Sequence, residues 1–181
     1  MVHFESGLWN AWLLSLPFLM ATICVIGANK GLSRRMSDMT GYRSGEKCVT
    51  VFASLASYPL MIVTIWLPFT TVPLLLYPGL LFYCSGFVFY AASLRVMMKT
   101  PLDKPFTEGP YRFSRNPLYV SATAVFTGIC LATASVMLAA YLVLAVLLQH
   151  FMILAEERVC REKYGIAFEG YIKKVPRYLL V

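Results

Sequence analysis

Two groups of residues in this 181-residue chain carry chemistry that an apolar polypeptide does not need merely to fold. The first is Gly109-Pro110-Tyr111-Arg112-Phe113-Ser114-Arg115-Asn116-Pro117, a proline-bounded turn with two arginines and two aromatics pressed against the start of a long apolar stretch. The second is the carboxylate pair Glu156 and Glu157, which emerges from the next apolar stretch. Arg112 and Arg115 lie three apart, and a guanidinium's planar fork suits either a carboxylate or a phosphate. Tyr111, Phe113 and Tyr119 have the rings to stack on a flat ligand or to form an interfacial aromatic belt. Carboxylates beside an apolar run are costly unless they reach water or a cation. One of the pair can therefore take a ligand's ammonium, and either can pair with Arg112 or Arg115. His150, seven residues before Glu157, falls near the same helical face and suits interhelical hydrogen bonding. Cations, aromatics and carboxylates gathered at one boundary fit a polar, zwitterionic ligand.

The elements that must position these groups are membrane spans. With 59% hydrophobic and 14% charged residues, the composition is not that of an ordinary soluble domain. A hydrocarbon core about 30 Å thick needs roughly 20 apolar residues per helix. Residues 8–28, 49–69 and 72–94 meet that length without a formal charge. Residues 117–155 hold no Lys, Arg, Asp or Glu over 39 positions, enough for two helices (117–134 and 136–155) turning near Thr133-Ala134-Ser135. Five spans result, in one membrane domain covering 1–181. Pro17, Pro59 and Pro78 fall inside apolar segments and are expected to kink them. The last helix can run on to Lys163, about 42 Å from Val136, which carries Glu156 and Glu157 to the interface. Gly165 then ends it, and 166–174 reads as a short amphipathic helix with Phe168, Tyr171 and Ile172 on one side.

Charge placement agrees. All 16 Lys and Arg residues lie at 30–47, 95–115 and 158–177, the three segments that share a side when there are five spans. The positive-inside rule puts those segments and the C-terminus in the cytoplasm and the N-terminus, with His3 and Glu5, outside. The net charge of +7 is thus a membrane-face signature, and no soluble basic domain exists to dock on nucleic acid. The connector 29–46 reads as solvated, while 98–116, with Pro101, Pro105, Pro110 and Gly109, cannot be a continuous helix and is too long to be idle. The five cysteines are scattered and odd in number, without metal-ligand spacing. There is no Walker loop or strand-glycine-helix unit, so any cofactor must be held at the membrane edge.

Tyr111-Arg112-x-x-Arg115-Asn116-Pro117-x-Tyr119, the paired glutamates, and Tyr164-Gly165-x-x-Phe168-x-x-Tyr171-x-x-x-Val175-Pro176-Arg177 together resemble a known family. The chain looks like the isoprenylcysteine carboxyl methyltransferases and their phospholipid N-methyltransferase relatives, integral membrane enzymes that use S-adenosylmethionine. The likeness covers residues 100–178, and the short chain resembles a small prokaryotic member. It implies a cofactor pocket in which Lys104, Pro105 and Phe106 line the wall and Tyr111 touches the cofactor. Asn116, Pro117, Leu118 and Tyr119 would border the adenosine, and Glu156 would receive the amino group of the methionine moiety. Arg115 and Glu157 are the catalytic candidates, Arg115 to orient the acceptor and Glu157 to accept a proton from an amine. Asn116 stands where the family usually has histidine, and Met152 where the prenylcysteine enzymes have a substrate arginine. The resulting expectation is methyl transfer, with S-adenosylhomocysteine as product, to a lipophilic small molecule or prenylated acceptor, most simply its carboxylate. A phospholipid amine is the alternative acceptor, and a non-enzymatic scaffold or small transporter the alternative class.

Overall fold

The computed structural model describes residues 7–179; they are helical, with no strand among them and an isolated bridge between Asn10 and Pro68. Residues His3 and Glu5, expected on the outer side, lie outside the described residues. Eight helices follow in order: α1 Trp12–Ala28, α2 Lys30–Ser37, α3 Ser44–Leu55, α4 Ser57–Val63, α5 Pro73–Lys99, α6 Pro117–Thr133, α7 Val136–Tyr164 and α8 Ile166–Ile172. Short 3-10 turns occupy Thr64–Trp66 and Gly109–Arg112.

Three stretches are long and apolar enough to cross a membrane: Ser44–Trp66, Pro73–Lys99 and Val136–Tyr164. The pair α1 and α2, bent by 106° at Asn29, adds a fourth if counted as one span. Helix α6, at 17 residues, is apolar but shorter. The architecture is therefore an all-helical, multi-pass membrane protein with three to four candidate spans, where the sequence alone led to five.

Local chemistry explains most helix ends. Pro73 and Pro117 open α5 and α6 at positions whose amide would have no partner anyway. Ser135 caps α7 by accepting from the Leu138 amide at 3.2 Å. Gly165, with φ of +53°, closes α7 in a backbone conformation that a side chain would strain. Of the three internal prolines, Pro17 and Pro78 sit within unbroken α1 and α5. Only near Pro59 is the helix interrupted: α3 stops at Leu55 and α4 resumes at Ser57, because proline has no amide to return to the Leu55 carbonyl.

The tightest helix pair is α5 against α6. A Cβ placed on Gly128 would stand 2.5 Å from the Tyr83 nitrogen, and one on Gly79 would stand 2.6 Å from the Ala132 nitrogen. Small residues let the two backbones touch, the usual source of attraction between helices in lipid. Phe18 of α1 packs on this pair, 4.4 Å from the Tyr90 ring and 5.4 Å from Phe126. This rigid core fixes the start of α6, and hence the turn before it.

The segment 29–46 departs from the solvated connector expected. Asn29 accepts from the Leu32 amide at 2.9 Å and so starts α2, and Leu32 is almost wholly buried. Gly41 lies against Val159 of α7. A one-turn apolar anchor in an otherwise polar helix is too weak a pattern to read from composition.

Candidate active site

The turn before α6 and the far end of α7 meet. Glu157 is buried at 4% exposure and is the hub. It accepts from Arg115 Nε at 3.1 Å, from Asn116 Nδ2 at 3.0 Å, and from Arg177 Nε and Nη2 at 3.2 and 3.0 Å. Arg115 also donates to the Ile172 carbonyl at 3.2 Å, just before the chain leaves α8. A buried carboxylate between two guanidiniums and an amide is satisfied on both oxygens, and such groups are stable only when so matched. Arg112, the other cation considered for the pair, is exposed and forms no ion pair among the described residues.

The C-terminal segment is sewn to the same turn. The Tyr171 hydroxyl donates to the Tyr111 carbonyl at 2.6 Å, and the Arg115 amide donates to the Pro176 carbonyl at 2.9 Å. Ser114, fully buried, donates to the Arg177 carbonyl at 2.9 Å and accepts from the Asn116 amide at 3.0 Å. Asn116 thus spends its side chain on Glu157 and on the Arg177 carbonyl (3.3 Å). Its amide supplies the two donors that bridge these acceptors.

Glu156 points elsewhere. It accepts from the Tyr119 hydroxyl at 2.6 Å, is only partly buried, and has no cation paired with it among the described residues. Tyr111 and Tyr42 stand near enough to feel its charge. Burial first, and that carboxylate second, push both phenols well above their ordinary range, so they remain neutral. Phe106 packs on Tyr111 with ring centroids 5.4 Å apart. The result is a carboxylate facing aromatic, uncharged neighbours.

One side chain absent from the sequence-based expectation fastens the segment that carries Phe106. Arg35 of α2 donates to the Pro101 and Lys104 carbonyls at 3.3 and 2.9 Å and to the Tyr164 hydroxyl at 2.7 Å. Its guanidinium also lies 3.9 Å over the Phe106 ring. It ties the 101–106 segment to the end of α7. Arg158 plays a similar part nearby, pairing with Glu46 and Glu162 and donating to the Gly41 carbonyl at 2.9 Å. Apart from the Arg158 and Glu162 pair, four apart on α7, these contacts leave no sequence signal, since partners 66 to 129 positions apart share no local period. Arg177, by contrast, stood in the Val175-Pro176-Arg177 motif without a role attached.

The remaining expected residues distribute as follows. Pro117 opens α6 and, like Asn116, is buried behind Tyr119 in the first turn, while Leu118 packs against the core. Lys104 and Pro105 border a separate groove at the end of α5. Met152 is buried, with the Ser54 hydroxyl 3.9 Å from its sulfur. His150 shares a 2.7 Å hydrogen bond with the Tyr178 hydroxyl, beside an apolar groove of about 230 Å³ between α6 and α7 lined by Tyr119, Thr123, Val146, Gln149 and Ile153. Tyr119 therefore has its ring on that groove and its hydroxyl on Glu156.

Against known proteins, residues 52–167 match the model of one family, described as phospholipid methyltransferase, over more than half of the chain. The chain belongs to the phospholipid methyltransferase family. It is accordingly a methyltransferase of the membrane, and the match takes in α4 to α7 with the motif turn and both glutamates. Comparison with curated proteins and with solved structures gave no match.

Proposed function

We propose that this protein transfers the methyl group of S-adenosylmethionine to a lipophilic acceptor at the cytoplasmic membrane boundary. In this reading α6 and the bent α1 and α2 pair complete five passes, with the N-terminus outside and the C-terminus and site in the cytoplasm. The reading is supported by Glu156, a partly accessible carboxylate with a phenol donor in Tyr119 and no cation partner among the described residues, with Tyr111 near enough to feel its charge and Phe106 packed on Tyr111. That donor set fits the cofactor: the carboxylate suits its ammonium, and the aromatic walls suit its adenine and apolar parts. Family membership agrees, since such enzymes generally use this donor.

When bound, S-adenosylmethionine supplies an activated methyl on a sulfonium. The work left to the chain is to bind, orient and exclude water. Glu156 would hold the amino end, and Tyr119, by donating to one carboxylate oxygen, would leave the other for the ligand. Lys104, Pro105 and Phe106 would form a wall kept in place by Arg35. Asn116, Pro117 and Leu118 would set the position of Tyr119 on the first turn of α6. Arg115 and Glu157, being locked to each other, would act as positioning residues that join the motif turn to α7. The acceptor chain would lie in the α6 and α7 groove, whose wall Tyr119 shares with the site.

A carboxylate acceptor, as in isoprenylcysteine O-methylation, suits this arrangement best. It needs no base, and Glu157 has both oxygens engaged. The family description favours a second reading, methylation of a phospholipid amine. Radiolabelled methyl transfer against a prenylcysteine analogue and an aminophospholipid separates them. Base-labile ester product supports the first reading; base-stable product from the aminophospholipid alone overturns it in favour of the second. No transfer to either, together with no cofactor binding, would return the chain to a non-enzymatic role.

A further inference from the structure

A second concavity, of about 520 Å³, opens between the last turns of α5 and the loop that follows. Its rim carries Arg95, Lys99 and Lys104, all exposed, against the single carboxylate of Glu108. Its walls are mixed, with Ala92, Val96, Pro101 and Pro110 supplying an apolar part beside Thr100 and Thr107. None of the three cations forms an ion pair among the described residues. Tyr111, Tyr119 and Glu156 take no part in this groove, which opens on the α5 side of the 101–106 segment and shares only Lys104 and Pro105 with the wall assigned above to the cofactor.

Helix chemistry explains only one of the three charges. A cation in the last turn of α5 offsets the helix dipole, which accounts for Lys99. Arg95 lies a turn earlier, four residues from Lys99 on the same face, where like charges repel. Lys104 adds a third charge to the same concavity from the loop. Three cations facing one carboxylate leave a surplus of positive charge that an anion would relieve. Arg95 is also the first charged residue after the apolar run of α5, which puts the groove where hydrocarbon gives way to headgroups.

We propose that this groove binds a phosphate, and that its source is the headgroup of an anionic lipid. Phosphate is the chemistry that several convergent cations at a membrane face recognise. The apolar part of the walls beneath the cationic rim suits a headgroup attached to glycerol and acyl chains better than a bare ion. A phosphomonoester, carrying more charge than a diester, matches the surplus better. The inference stands apart from the methyl-transfer reading and does not need it.

The test uses the full chain in nanodiscs of phosphatidylcholine doped with phosphatidic acid, with retained lipid measured by native mass spectrometry. The wild type should enrich phosphatidic acid over its share in the bilayer. The variant Arg95→Gln/Lys99→Gln should lose that enrichment by roughly thirtyfold, the order expected for removing two interfacial cations. The charge-matched variant Lys47→Gln/Lys173→Gln, altered at exposed cations that do not line the groove, should keep it. Equal loss in both variants, or no enrichment in the wild type, overturns the site. Added inorganic phosphate should leave the lipid bound; displacement by it would retain the phosphate chemistry but overturn the lipid as its source.

Discussion

Glu156 and Glu157 are neighbours in sequence but face different partners: Glu157 is held by Arg115, Asn116 and Arg177, while Glu156 accepts from Tyr119 alone among the described residues. Adjacent helical residues project about 100° apart, so a paired acidic motif can serve two tasks at once. One carboxylate closes the scaffold, and the other, on the reading proposed above, is left to face a ligand.

Removing the scaffold carboxylate should be severe. Glu157→Ala strands two guanidiniums in a site where Arg115 is nearly buried, a change that costs about 3–5 kcal/mol when a buried pair loses one partner. Glu157→Gln keeps the shape and some hydrogen bonds and should fall between. Equilibrium unfolding in mixed micelles measures both, and an alanine variant as stable as wild type would contradict the hub role.

Arg35→Ala should loosen the 101–106 segment without unfolding the bundle, since its contacts are to the Pro101 and Lys104 carbonyls, Tyr164 and Phe106. Hydrogen exchange at 101–106 should quicken, and affinity for S-adenosylhomocysteine should fall by about tenfold, the loss of one or two charge-assisted hydrogen bonds. Arg35→Lys should rescue little, because a lysine has no planar fork to span two carbonyls and stack on a ring. Unchanged exchange in the alanine variant would show that the segment holds itself.

Tyr171→Phe tests how the C-terminal segment is fastened. It deletes the 2.6 Å bond to the Tyr111 carbonyl while leaving the ring in its apolar cluster with Phe168 and Val175. A buried carbonyl left with less should cost about 1–3 kcal/mol. The faster exchange should appear in 109–116 as well as in 166–178; an effect confined to α8 would mean that the two regions are not coupled.

Gly128→Ala addresses the scaffold behind the site. Its new methyl would meet the Tyr83 backbone at 2.5 Å, so α5 and α6 must part. Overpacking of this kind costs about 1–3 kcal/mol, read as a lower unfolding midpoint. Ala134→Gly provides the contrast: Ala134 has φ of +49°, which glycine adopts more readily, and stability should hold or rise.

Much of this organisation was legible in the chain. The apolar runs, Pro73, Pro117, Ser135 and Gly165 mark where helices begin and end because each acts through its own backbone. The meeting of 109–117 with Glu156 and Glu157 followed from their chemistry, as did the Arg115 and Glu157 pairing among its options. What could not be read is which glutamate does which task, since that depends on the rotation of α7 about its axis. Arg35 was equally hidden: a polar helix held by Leu32 gives no periodic signal, and its partners lie far along the chain. The number of passes also outran the pattern, because 17 apolar residues in α6 and a 106° bend after α1 satisfy composition without settling geometry.

The central claim is that Glu156 is the cofactor's ammonium partner, while Glu157 is scaffold. Calorimetric titration of the detergent-solubilised protein with S-adenosylhomocysteine tests it most directly, using wild type, Glu156→Gln and Glu156→Ala, each first matched for unfolding midpoint. Wild type should bind, Glu156→Gln should weaken by roughly 10- to 100-fold, as loss of a charged hydrogen-bond partner implies, and Glu156→Ala should show no heat. Wild-type affinity in a folded Glu156→Ala protein would contradict the account.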